Sequence, residues 1–462
     1  MDGRVSVIYW LAIAGLCLFQ GLFGWKLAEE VNPRTEDFDQ GSYLQMLERM
    51  EGAPCPWFTD GVRNPLVPWL GSVFLDANDP QLFLHAKRLN VILGVAGTLA
   101  LAVFFRRRAG PLAAWNATAL AALALLLPSS TFFGAETVFF PLFFFSYVAA
   151  SRLLCRNPLR GFLWCGALAG IATLAKPSVA PMLALFVGWS LFRWAVSFVR
   201  PGWIEESGGW SARRMVPGFV ILVVAYLAPQ VPRMVHAHHT WGSANYSLPS
   251  FWFWADDWES CVNKYTDCRA VTIEAMPPAE QPNLRGYFLR NTPADAVHRL
   301  VHGASVRLQQ FFHPENKFRI PFDKHGKDKR VVLPHRGFYI AGLGLSAVLI
   351  AGLAWPTLRR SPHAVKNEWI FPAAFLLSMA VLYTAAMGWY LPTGPGHRFI
   401  LTLYLPVLAA CVLVAERLRV TAPSRPVHAV FLVTHLTIAA LLASRITILI
   451  VDGNFRKIDY TF

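Results

Sequence analysis

Charge is scarce in this chain. Only 15% of its 462 residues are charged, and acids are the scarcer sign, 28 Asp and Glu against 42 Lys and Arg. A soluble protein carries about a quarter charged residues, so a water-soluble globule is excluded. Cysteine is sparse as well: seven residues, with no CxxC and no Cys/His spacing of the kind that holds a metal. Cys17, Cys155, Cys165 and Cys411 fall in or beside apolar stretches and read as packing residues. Cys55, Cys261 and Cys268 fall in polar loops, where Cys261 and Cys268 could pair in an oxidising compartment. Internal repeats and low-complexity tracts are missing too, which speaks against transporters built by duplication.

Apolar sequence is abundant, at 55%. Eleven stretches approach the roughly 20 residues that cross a bilayer, at about 5–25, 89–105, 111–128, 136–152, 161–175, 178–197, 215–233, 337–355, 369–387, 399–415 and 427–451. The first follows Arg4 and precedes no small-residue cleavage site, so it reads as a retained helix. With the N-terminus in the cytoplasm, every second loop is an inner one. Those loops contain Arg106-Arg107-Arg108, then Arg152, Arg156 and Arg160, then Arg200, Arg213 and Arg214, then Arg359, Arg360 and Lys366, then Arg417, Arg419 and Arg425. All five are positively biased, as the positive-inside rule requires. The net charge of +14 is thus a set of topology signals and not a nucleic-acid surface.

The outer face then receives two long loops, about 26–88 and 236–336, and function is expected there. In the first, Glu36-Asp37-Phe38-Asp39-Gln40-Gly41-Ser42-Tyr43 sets three carboxylates beside a membrane span, costly unless they face water, a cation or a substrate. Ser42-Tyr43-Leu44-Gln45 has the capping-box pattern, and Leu44, Leu47 and Met50 follow at helical spacing, predicting a short surface helix just after Asp39. In the second loop, Thr292-Pro293 starts a helix whose Val297, Leu300, Val301, Ala304, Leu308, Phe311 and Phe312 predict an apolar face laid on the membrane or the bundle. The basic stretch at 317–330 reads as a patch near anionic lipid, and His236, His238 and His239 as an interfacial loop.

Several residues could carry chemistry. Asp37 or Asp39 could act as a general base on an acceptor hydroxyl or amine while a sugar phosphate leaves; otherwise they cap a helix in a solvated loop. Arg63, in Arg63-Asn64-Pro65-Leu66-Val67-Pro68, could bind phosphate or simply form an interfacial turn. Glu136 stands at the outer mouth of a span, and Lys176 is alone in an outer turn, as a phosphate ligand or a snorkelling lysine. His397-Arg398, after a Gly/Pro turn, suits a phosphate or pyrophosphate. Asp256, Asp257 and Glu259, beside Phe251-Trp252-Phe253-Trp254, read either as a carbohydrate-facing surface or as an interfacial aromatic belt.

Taken in order, these motifs resemble the GT-C-fold glycosyltransferases, in the branch of protein O-mannosyltransferases and lipid A aminoarabinose transferases. The likeness covers roughly the first 200 residues and the 390–410 region. It rests on Asp39-Gln40-Gly41-Ser42-Tyr43, Arg63 to Pro68, Glu136-Thr137, Lys176-Pro177 and His397 to Ile400. The acid pair is Asp-Phe-Asp-Gln, where O-mannosyltransferases have adjacent Asp-Glu. The resemblance implies an all-α, GT-C-like polytopic membrane protein with about 11 transmembrane helices and amphipathic surface helices in its two outer loops. It implies an inverting transferase that moves a sugar from a polyprenyl-phosphate donor to a lipid, glycan or protein acceptor. Asp39 would be the base, with Asp37 as the alternative or as a metal or acceptor ligand. Arg63, Lys176, His397 and Arg398 would hold donor phosphate, and Tyr43, Glu136, Asp256 and Asp257 would face substrate. No cofactor is required, although two carboxylates and a phosphate could hold Mg²⁺ or Mn²⁺. Short loops without a retention signal point to a bacterial inner membrane, with the site periplasmic. An O-antigen ligase or polymerase, or a lipid-linked-sugar flippase, would share the outline but place the essential charges elsewhere.

Overall fold

The computed structural model describes residues 3–31, 33–35, 39–51, 58–199, 211–265, 268–312, 336–360, 362–394 and 397–452. Apart from short 3₁₀ turns, eighteen helices account for the regular structure among them, and no strand occurs. In chain order they are α1 (Gly3–Glu30), α2 (Gln40–Glu51), α3 (Leu66–Phe74), α4 (Leu82–Arg106), α5 (Pro111–Ser130), α6 (Glu136–Cys155), α7 (Leu159–Ala175), α8 (Pro177–Val199) and α9 (Ala212–Trp241). Four short helices follow, α10 (Leu248–Trp252), α11 (Trp258–Tyr265), α12 (Ala270–Glu274) and α13 (Leu284–Arg290), then α14 (Pro293–Phe312). The chain ends with α15 (Arg336–Arg360), α16 (Pro362–Trp389), α17 (Tyr404–Thr421) and α18 (Arg425–Asp452).

Each of the eleven expected spans falls on a helix. Ten of these are long and apolar enough to cross a membrane, and α7, the expected fifth span, is a shorter apolar helix of 17 residues. The chain is a multi-pass membrane protein. Leu11, Leu18 and Leu22 on α1 and Val216, Val220 and Val224 on α9 are exposed, as residues against hydrocarbon should be.

Helix α5 is the axis of the bundle. Its alanines, among them Ala113, Ala114, Ala117, Ala121 and Ala122, are fully buried, and their small side chains let neighbouring helices approach on every side. Near its end the N–H of Leu127 reaches back five residues to the Ala122 carbonyl, forming a π-turn just before Pro128, which has no N–H to continue the ladder. A closer contact joins α7 to α9. A Cβ on Gly166 would lie 2.4 Å from the Leu222 carbonyl oxygen, and one on Gly170 2.5 Å from that of Tyr226. Two glycines four apart let the backbones touch.

The connections sort to two ends of the bundle. At one end Gln40, Phe133, Asn64, Thr173, Gly61 and Leu248 are joined by hydrogen bonds, so the loops before α3, α6, α8 and α10 form one body. At the other, Arg107, Arg108, Arg152, Arg156 and Arg160 surround a common cavity, and Asn157 bonds Ser211. The first three basic loops therefore gather on one side.

One expectation changes and another is narrowed. Helix α9 runs on to Trp241, so His236, His238 and His239 are helical and not in a loop. Helix α14 takes the membrane alternative of the two expected: Val297, Leu300, Val301, Leu308 and Phe312 are exposed, as residues against hydrocarbon are, while Arg299, Gly303, Arg307 and Phe311 are buried. The reason lies in α16. Arg299 Nε donates to the Trp389 carbonyl at 2.7 Å and Arg307 Nε to that of Met387 at 3.1 Å, so both arginines cap the carbonyl end of α16. Gly303 faces Gly388 so closely that a Cβ would fall 2.0 Å from its carbonyl oxygen. The basic run at 317–330 lies outside the described residues.

Candidate functional site

The chain leaves α1 and turns back so that Asp39 stands immediately before α2, its carbonyl accepting the N–H of Tyr43 at 3.1 Å. The helix therefore starts two residues ahead of the expected capping box. Ser42 lies inside it, and the polar work is done by Gln40, whose Oε1 accepts from the Phe133 N–H (3.0 Å) and whose Nε2 donates to the Arg34 carbonyl (3.2 Å). Tyr43, Met46, Leu47 and Met50 are buried. Tyr43 sits edge-on to Phe133, and Leu47 fills the space left by Gly71 of α3. Helix α2 thus packs on the bundle, which fixes Asp39 relative to the α5–α6 turn.

Arg63 is the hub. Its Nη2 donates to Asp39 Oδ1 at 2.8 Å and its Nη1 to Asp60 Oδ2 at 3.0 Å. Asp60 Oδ1 in turn accepts from the backbone N–H groups of Val62 (2.8 Å) and Arg63 (2.6 Å), a turn in which an Asp side chain orders the chain that follows it. Gly61 makes that turn possible with φ +83°, and a Cβ there would also meet the Tyr246 ring at 2.9 Å. Burial works against the guanidinium charge, but the carboxylates of Asp39 and Asp60 outweigh it and hold Arg63 above its ordinary pKa. The next residue, Asn64, donates to the Thr173 carbonyl at 2.6 Å, which ties this loop to the end of α7.

A second charge pair lies beyond that tie. Lys176, the residue that ends α7, donates its Nζ to Glu136 Oε1 at 2.5 Å. Their side chains are only 13% and 11% exposed. Glu136 opens α6, where the helix dipole favours an anion. Two arms of hydrogen bonds, Gln40 to Phe133 and Asn64 to Thr173, bind the Asp39–Arg63 pair to the elements that carry Glu136 and Lys176.

Asp256 and Asp257 lie in the second long loop. Asp256 accepts from Arg290 Nε and Asn291 Nδ2, each at 3.0 Å, and Asp257 accepts from the Ser260 N–H at 2.7 Å at the start of α11. Both carboxylates have structural partners there. The adjacent aromatic rings are engaged as well: Phe253 and Trp254 lie 6.1 and 6.0 Å from Trp389, centroid to centroid, and Arg299 lies over the same indole. Cys261 is a buried free thiol, so the Cys261–Cys268 bridge is not formed. Asp37 lies outside the described residues, and of His397 and Arg398 only the backbone, at the start of the 3₁₀ segment His397–Leu403, is described.

Two residues of this region escaped the sequence reading. Asp60 shares Arg63 with Asp39; its signal was the Asp60-Gly61 turn dipeptide. Tyr390 follows α16, and burial, with the Asp39 carboxylate adding to it, raises its phenol well above the usual range. Its only signal was the Leu-Pro-Thr-Gly-Pro turn after it.

Chemically, the end of the bundle offers a carboxylate held by a guanidinium, a buried ammonium–carboxylate pair and a nearby phenol. Such a set can bind an anion and accept a proton. Among the described residues no group of three His, Cys, Asp or Glu could hold a metal. Asp39 and Asp60 both face Arg63, so a cation between them would have to displace the guanidinium. No family model, no curated protein and no solved structure matches the chain.

Proposed function

We propose that this protein is a membrane glycosyltransferase that transfers a sugar from a polyprenyl-phosphate donor to a hydroxyl or amine acceptor, with inversion. The observation that carries the reading is the convergence of Asp39–Arg63 and Glu136–Lys176 at one end of the bundle. The acceptor oxygen or nitrogen attacks the anomeric carbon as the bond from that carbon to the phosphate oxygen breaks. The acceptor's proton goes to Asp39, and polyprenyl phosphate leaves. As Asp39 is neutralised, Arg63 is released toward the departing phosphate, and Lys176 supplies a second cation. His397 and Arg398 belong to the same proposal, as further phosphate ligands. In the same proposal this end faces the periplasm of a bacterial inner membrane and the basic loops face the cytoplasm, a reading that the positive bias of those loops supports. The acceptor is a lipid, a glycan or a protein, and no step is routed through a metal.

The test is transfer by purified protein with a panel of polyprenyl-phosphate sugars. Asp39→Asn should lose about 10²–10⁴-fold in rate, the range for a missing general base. Asp60→Asn, which touches the same arginine, should lose far less. Full activity in Asp39→Asn would remove this carboxylate from the mechanism, and no donor consumption by the wild type would refute the transferase.

A further inference from the structure

The basic end of the bundle has a shape that topology signalling does not require. A cavity of about 830 Å³ opens between α4, α6 and α7, within the range of roughly 300–1,000 Å³ typical of ligand sites. Arg107, Arg108, Arg152, Arg156 and Arg160 line it, and none of the described lining residues is acidic. Like charges gathered around one concavity, Arg107, Arg108, Arg152 and Arg160 among them, repel one another, and an anion between them relieves that repulsion. Arg108 is already oriented, its guanidinium 4.0 Å from the centroid of the Phe104 ring and its Nη1 bonded to the Phe104 carbonyl at 3.3 Å.

Away from the arginines the wall turns apolar along the helices. Val103, Phe145, Val148 and Trp164 line it, and Trp164 is 64% exposed. A free inorganic anion would have no use for that wall, whereas a molecule with a charged head and a hydrocarbon tail would use both. A positive-inside signal needs only charge in a loop, not a concavity that joins three helices.

We propose that this cavity binds an anionic phospholipid, with its phosphate headgroup among the five arginines and an acyl chain along Val103, Phe145 and Trp164. The site lies at the end of the bundle opposite Asp39 and does not depend on the transfer reaction. It would clamp α4, α6 and α7 together from the basic side, where α7 is shorter than any of the ten long apolar helices.

The test uses full-length protein in an uncharged detergent, titrated separately with dioleoylphosphatidylglycerol, dioleoylphosphatidylcholine and inorganic phosphate while the melting temperature is followed. The phosphatidylglycerol should stabilise it saturably, and the other two should not. The double variant Arg107→Gln/Arg160→Gln should need at least tenfold more phosphatidylglycerol for the same shift, with its lipid-free melting temperature unchanged. Equal stabilisation by phosphatidylcholine, an equal shift with inorganic phosphate, or an unchanged phosphatidylglycerol midpoint in the variant would each overturn the proposal. A second measurement locates the chain. Phosphatidylglycerol with brominated acyl chains should quench part of the tryptophan fluorescence, and Trp164→Phe should remove that part; quenching unaltered by the substitution would refute the position.

Discussion

Replacing Lys176 separates two roles that the Glu136–Lys176 pair can have. Both side chains are nearly buried and their charged atoms are 2.5 Å apart. Lys176→Met removes the cation and leaves a carboxylate in a site built for a pair. Breaking a buried pair from one side costs about 3–5 kcal/mol, most of it the cost of the charge left behind. The double variant Lys176→Met/Glu136→Gln removes that charge and keeps the volume, so most of the loss should return. Equilibrium unfolding in mixed SDS micelles, followed by far-UV circular dichroism, measures both. Transfer activity then distinguishes the roles, because a cation that holds donor phosphate is still missing from the double variant. The expected pattern is a single variant that is unstable and inactive, and a double variant that is stable and inactive. A single variant within about 1 kcal/mol of wild type would refute the energetic argument. A double variant that regains transfer would show that Lys176 does not serve the donor.

Other outcomes follow from the same geometry. Arg63→Gln should weaken the loop by about 1–3 kcal/mol, less than a fully buried pair because Asp39 is one-third exposed, and limited proteolysis near residue 60 should register it. Cys261 is buried, and its thiol is pushed up to about 12, first by burial and then by Asp257. A raised thiol pKa keeps the proton on at higher pH, so at pH 8 it holds about a thousandfold less thiolate than an ordinary cysteine. Peptide mapping after iodoacetamide should find Cys261 unmodified in folded protein and modified after denaturation; rapid labelling of the folded form would refute its burial. Gly303→Ala should destabilise by about 1–3 kcal/mol or more, since the new methyl cannot fit against Gly388 without moving a backbone, and wild-type stability would refute that contact.

The spans were legible because apolar length is a local property. Each stretch states its own requirement for a non-aqueous environment, whatever its neighbours do. Glu136 at the mouth of α6 and Lys176 at the end of α7 were legible for the same reason, since charge beside an apolar run is conspicuous. That these two face each other was not, because the pairing joins residues 40 apart in sequence. The start of α2 was misread because Gln40 and Asp39 find partners at Phe133 and Arg63, which lie far along the chain. Helix α14 shows the limit most plainly. Its periodicity marks two faces correctly, but which face turns inward depends on carbonyls of α16 that Arg299 and Arg307 bond. Arg307 is 1% exposed, and nothing in its neighbouring sequence says so.

The contact of α14 with α16 has a consequence for biogenesis. The partners of Arg299 and Arg307 lie 90 and 80 residues further on, at the far end of a helix that is synthesised later. When α14 leaves the ribosome, Gly303 has no backbone to rest on and both guanidinium groups have no carbonyls to bind. The chain between α9 and α15 must therefore wait through the insertion of two more helices before its last helix can dock. A nascent chain arrested before Trp389 should keep α14 open to protease, and one extended past Gly394 should protect it.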